Sequence, residues 1–66
     1  MTDPVFEIFK DKSGQFRFRL IAENGEIIAQ SEGYTTKQAA LKGVQSVALN
    51  AGKAQWADLT ISEDED

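Results

Sequence analysis

"VFEIFKDKSGQFRFRLIAENGEIIAQ", residues 5–30, decides the fold of this chain. It holds three β-prone runs separated by two turn signals, and the first two, Val5 to Lys10 and Phe16 to Ala22, read as alternating strands. Asp11-Lys12-Ser13-Gly14 has the residues of a type I turn closed by a glycine free to take positive φ, the pattern of a three-residue hairpin loop. With Asp11 across from Gln15, Ile8 faces Phe18 and Phe6 faces Leu20, and all four share one face. Asn24-Gly25 then predicts a two-residue type I′ turn. In that register Glu23 faces Glu26, Ala22 faces Ile27, Leu20 faces Ala29 and Phe18 faces Ser31. Both turns therefore place the same residues of the middle strand on the apolar face, and this consistency specifies an antiparallel meander.

Beyond the meander, "SEGYTTKQ" (residues 31–38) breaks the sheet at Gly33 and opens a helix, with Thr35 as N-cap and Gln38 three residues on. The helix is expected to reach about Asn50, with Gly52 as its stop. Ala40, Val44, Val47 and Ala51 form a narrow stripe, with Leu41 and Ala48 on one flank and Gly43 on the other. A glycine inside a helix costs about 0.5–1 kcal/mol against alanine, so Gly43 predicts a helix lying very close to the sheet or to another backbone. Leu49 lies opposite the stripe and is expected at the surface. "AQWADLTI" (residues 54–61) alternates once more, Ala57, Leu59 and Ile61 against Trp56, Asp58 and Thr60, and reads as a fourth strand. The expected fold is α+β: a β3-α-β unit, one antiparallel sheet with one helix on one face. It is a single domain over residues 1–61, followed by an acidic disordered tail over residues 62–66.

A chain of 66 residues without Cys or His is short of core. Domains of this size bury only about 60% of the surface their unfolded chain exposes, and disulfides, a metal or oligomerisation usually compensate. The missing cysteines remove disulfides, and the missing cysteines and histidines together argue against zinc or haem. No cofactor or metal is expected, and oligomerisation is the remaining route. No apolar run is long enough to span a membrane, and the N-terminus lacks the pattern of a signal peptide, so a cytosolic protein is expected. The formal charge of −4 comes from the end of the chain: four of the eleven acids lie in residues 63–66, and residues 1–62 balance seven cations against seven anions.

The residues offer little for catalysis. No phosphate loop or dinucleotide fingerprint is present, the carboxylates are scattered, and no catalytic spacing emerges. In "FRFRL" (residues 16–20) Arg17 and Arg19 alternate with Phe16 and Phe18, as in sheets that bind nucleic acid. The register, however, sets Arg19 opposite Glu7 and Arg17 opposite Glu32, which would neutralise that face, and it turns the phenylalanines toward the helix. Val5, Phe9, Ile21 and Ile28 are expected to gather on the other face as an apolar patch fit for a partner. Tyr34 is expected to anchor the helix start. Trp56 stands off the main apolar face.

Phe6, "KDKSG" (residues 10–14), "FRFRL", "NGEIIA" (residues 24–29), "SEGY" (residues 31–34), Lys37, "GVQSV" (residues 43–47), Asn50 and Ala51 together resemble the YegP-like family of small proteins of unknown function. Trp56, Leu49 and the acidic tail depart from its pattern. The resemblance implies β3-α-β units, present as tandem repeats or as two identical subunits, that form one sheet and exchange their C-terminal strands. A chain with one unit would then be an intertwined homodimer. It supplies no catalytic residue. The reading is a non-catalytic binding or accessory module, with a stress-associated role among those it could serve, and Phe9, Arg17, Arg19, Ile28, Tyr34 and Trp56 are its candidate binding residues. Two alternatives stand beside it: nucleic-acid binding through Arg17 and Arg19, and a small-molecule or enzymatic site at the dimer seam near Tyr34 and Trp56.

Overall fold

The computed structural model describes residues 2–60; the acidic tail and Ile61 lie outside the described residues. Three antiparallel strands, β1 (Val5–Lys10), β2 (Phe16–Ile21) and β3 (Ile27–Gln30), lie side by side in chain order. One helix, α1 (Lys37–Asn50), packs on β1 and β2 and makes no contact with β3. The α+β class and the meander are as expected.

The first hairpin follows the sequence closely. Asp11 N donates to Gln15 O at 2.8 Å, Gly14 N to Asp11 O at 3.0 Å, and Gly14 takes φ +88°. Ile8 pairs with Phe18, Phe6 with Leu20 and Glu7 with Arg19. The Asp11 carboxylate organises the loop, its Oδ1 accepting from Ser13 N, Ser13 Oγ and Gln15 N at 2.7–2.9 Å.

The second turn differs. Gly25 alone has positive φ, so the type I′ turn, which needs φ > 0 at Asn24 as well, does not form. Ala22 N instead donates to Glu26 O (2.8 Å) and Gly25 N to Ala22 O (2.9 Å), giving a three-residue loop like the first. The lengthened loop shifts the pairing to Ile21 with Ile27, and an irregularity between Leu20 and Ile21 returns it to Leu20 with Ala29. Ile28 is the extra residue that this bulge absorbs. The expected pairing of Ala22 with Ile27 is therefore lost, whereas Leu20–Ala29 survives and Ser31 N still reaches Phe18 O at 2.8 Å.

Beyond Ser31 the chain returns to β2, where Tyr34 and Phe16 exchange both backbone hydrogen bonds (2.8 and 2.7 Å). That bridge keeps the backbone extended, and the helix cap falls on Thr36, one residue later than expected: Ala39 N donates to Thr36 Oγ1 at 3.1 Å. At the other end Ala51 keeps right-handed helical angles, a 3₁₀ turn runs over Ala51–Lys53, and Ala54 turns extended (φ −69°, ψ 138°). Gly52 does not take positive φ, so the stop is the change of direction at Ala54 and not a left-handed glycine.

The core is small. Only Phe18 (5% exposed) and Ala40 (0%) are buried among the described residues. Phe18 meets Phe6 edge-on at 6.1 Å and stacks with Tyr34 at 6.3 Å. Gly43 lies over this pair: a Cβ there would stand 2.7 Å from Phe18 Cε2 and 2.8 Å from Tyr34 Oη. The missing side chain lets the helix backbone sit on two aromatic rings, which accounts for a glycine that lowers helix propensity. Residues 54–60, expected as a strand, have no strand partner in the single chain and form none, because a strand's backbone groups need a neighbouring edge.

Candidate interaction site

Two surfaces collect the candidate residues. The first is the sheet face turned away from the helix, with Val5, Glu7 and Phe9 of β1 and Arg17, Arg19 and Ile21 of β2. At one end Val5, Ile21 and Ile27 form an apolar row across all three strands, set by the pairings Val5–Ile21 and Ile21–Ile27. Beside it Arg19 Nε binds Glu7 Oε1 at 2.9 Å while its guanidinium lies over the Phe9 ring at 4.7 Å. Arg17 does not pair with Glu32 as expected. Its Nε binds Asp11 Oδ2 at 2.6 Å and its other arm donates to Ser31 O at 3.2 Å. Glu32 has left the sheet by this point, and the loop aspartate is the nearer anion. Arg17 is the first of several donors that hold the Asp11 carboxyl well below the ordinary carboxylate range, followed by Ser13 and Gln15. Each arginine of "FRFRL" is thus occupied by a carboxylate.

Ile28 is displaced from the position expected for it. The bulge removes it from the outer patch and places it in a shallow groove with Pro4, Leu20 and Ala22 on the helix side, beyond the end of the helix's cover, where it is 60% exposed. The outer patch gains Ile27 in its stead. Sequence reasoning missed this because a two-residue and a three-residue loop both fit Asn24-Gly25, and the choice changes which isoleucine faces which way.

The second surface is the segment after the helix. Trp56 is 99% and Leu59 92% exposed, and Leu49 is exposed as expected. Its one local order is a turn in which Thr60 N donates to Asp58 Oδ1 at 2.9 Å and the Thr60 hydroxyl joins it, which lowers the Asp58 pKa. Tyr34 belongs to the core and not to this segment: its ring stacks on Phe18 and lies against Gly43, whereas Trp56 is exposed. No group of three acidic side chains suited to a metal occurs among the described residues, and no described helix is long and apolar enough to cross a membrane.

A family model described as a domain of unknown function, DUF1508, matches residues 11–58. The chain belongs to this family. A DUF1508 chain of this kind has close relatives in the UPF0339 proteins, which bears out the YegP-like resemblance. It is 49% identical over 57 residues to a UPF0339 protein of Agrobacterium fabrum, covering 86% of this chain and 92% of that one. It is 59% identical over 47 residues to a UPF0339 protein of Stutzerimonas stutzeri, covering 71% of this chain but 42% of that one. Among solved structures it resembles a protein from Haloferax volcanii determined by NMR in solution, with a TM-score of 0.78 and 41% identity over 88% of this chain and 98% of that one. The family carries no assigned activity in these comparisons.

Proposed function

We propose that this chain works as a homodimeric, non-catalytic binding module of the cytosol, in which the C-terminal segment of each copy completes the sheet of the other. The observation that carries this reading is the exposure of Trp56 and Leu59, at 99% and 92%, in a chain whose buried core is Phe18 and Ala40. Fully burying a large apolar side chain is worth about 1.5–3 kcal/mol, so an alternating segment holding two of them gains stability wherever a sheet edge accepts it. The three-stranded sheet has such edges on both sides. The Stutzerimonas relative lends support of another kind, since the matched segment occupies less than half its length and leaves room for a second unit in one chain.

The absence of a recognisable catalytic spacing in the sequence supports a binding role. The chain has neither His nor Cys, and Glu7 and Asp11 are engaged with arginines. The same ion pairs weigh against nucleic acid, because binding phosphates depends on cations free to displace counterions. A low-salt gel shift that responds to Arg17→Glu with Arg19→Glu would reverse that judgement.

Light scattering on the eluting peak of a size-exclusion column, over a wide concentration range, tests the assembly. The full chain is expected at twice its 7.3 kDa mass, and a chain ending before Ala54 at the monomer mass or unfolded. A folded monomer at every concentration would overturn the reading.

A further inference from the structure

We propose that Asn24 is a modification site of this chain: its carboxamide converts to a carboxylate through a cyclic imide with the Gly25 nitrogen, and the folded loop between β2 and β3 holds the reacting groups apart, so that conversion records opening of that loop.

The chemistry needs no reactant other than water. The Gly25 nitrogen bonds to Asn24 Cγ, the Cγ–Nδ2 bond breaks, and the Gly25 proton departs with the leaving group as ammonia. Water then opens the imide at either carbonyl, giving aspartate or the isomer in which the main chain runs through Cβ. Nothing is oxidised or reduced. The attacking nitrogen must come close to the side chain before it, and glycine, lacking a Cβ, hinders that approach least. The chain has two asparagines, Asn24 before Gly25 and Asn50 before Ala51, and only the first has such a neighbour. Asn24 and Gly25 are both exposed, open to water and base.

Against this reactive pairing, the loop engages each atom that takes part. Gly25 N donates its hydrogen to Ala22 O at 2.9 Å. Glu26 holds the Asn24 carboxamide at both ends: Oδ1 accepts from Glu26 N at 3.1 Å, and Nδ2 donates to Glu26 Oε1 at 3.0 Å. Ala22 N closes the loop on Glu26 O at 2.8 Å, and Thr2 N ties the N-terminal segment to Glu23 O at 3.2 Å. Imide formation therefore waits for these bonds to break, and an exposed loop opens far more often than a whole domain unfolds.

The product does not fit the loop that the asparagine makes. Either form removes the Nδ2 donor and sets a carboxylate between Glu23 and Glu26, where like charges repel. The isomer also adds a methylene to the backbone of a three-residue loop, and the length of that loop sets the β2–β3 register. Conversion is thereby expected to loosen β3.

The test keeps the full-length protein at mildly alkaline pH, folded in buffer or unfolded in guanidinium, and follows the tryptic peptide of residues 20–37 by mass spectrometry. In guanidinium Asn24 is expected to convert ahead of Asn50. In the folded protein its conversion is expected to be about tenfold slower or more. Glu26→Ala, checked for folding by circular dichroism, is expected to raise the folded rate severalfold and to leave the rate in guanidinium nearly as it was. Equal folded and unfolded rates, or a folded rate indifferent to Glu26→Ala, would overturn the part assigned to the loop. Conversion of Asn50 ahead of Asn24 in guanidinium would remove the site itself.

Discussion

Residues 16–21 and residues 54–60 carry the same kind of pattern, alternating apolar and polar side chains with a large aromatic, and they meet opposite fates. Phe18 in the first is 5% exposed; Trp56 in the second is 99% exposed. The difference lies in what each finds within one chain. Phe18 has β1 on one side, β3 on the other, and above it a helix that comes close because position 43 has no side chain. The later segment follows the helix and reaches no edge of its own sheet. Alternation states that a segment is half of an interface; it does not say where the other half is.

That contrast can be broken most severely at Phe18. Phe18→Ala is expected to cost about 3–5 kcal/mol, a large share of what so small a domain has, and to leave the chain largely unfolded by circular dichroism. Gly43→Val is expected to cost about 1–3 kcal/mol by overpacking against Phe18 and Tyr34, lowering the melting temperature by several degrees or more. If its melting point were unchanged, the helix would not lie where Gly43 places it. Trp56→Ala probes the other region. It is expected to leave the secondary structure intact and to weaken self-association about tenfold or more, read as a shift in the concentration at which light scattering reports monomer. An unchanged dissociation constant would mean that Trp56 stays in water in the dimer too.

The smallest effect concerns the loop that sets the first hairpin. Asp11 has a folded pKa below the unfolded value of about 3.9. Its ionised form therefore stabilises the fold above about pH 4, and that contribution is lost as pH falls from there toward the folded pKa, the unfolded chain taking up the proton first. Asp11→Asn is expected to be less stable than the parent in urea at pH 7, with a difference that begins to narrow near pH 4 and goes on narrowing as pH falls toward the folded pKa. A gap independent of pH would show that the carboxylate's charge is not what holds Arg17 and the loop.

Much of the fold was legible because it is local. Asp11 to Gly14 is a turn whose chemistry names its own geometry, and the pairings Ile8–Phe18, Phe6–Leu20 and Glu7–Arg19 followed from it. Legibility ended where neighbouring choices differ by little. Thr35 and Thr36 can both cap a helix, and the Tyr34–Phe16 bridge decides between them. Arg17 has two carboxylates in prospect, Glu32 and Asp11, and the second is held ready by its own loop. Of the candidate site, Phe9 and Arg19 lie together on the outer face as the alternation implied, whereas Ile28 moved to the helix side with the bulge.

By itself the sequence determined the three strands, the first register, the helix and the need for Gly43 to approach something closely, because turn chemistry and periodicity act over a few residues. Tertiary structure alone decided that Gly43 rests on Phe18 and Tyr34, that a three-residue loop and a bulge replace the tighter turn, and that residues 54–60 find no place in their own sheet. Those outcomes depend on which surfaces meet across the chain, and a contact of that kind has no local signature.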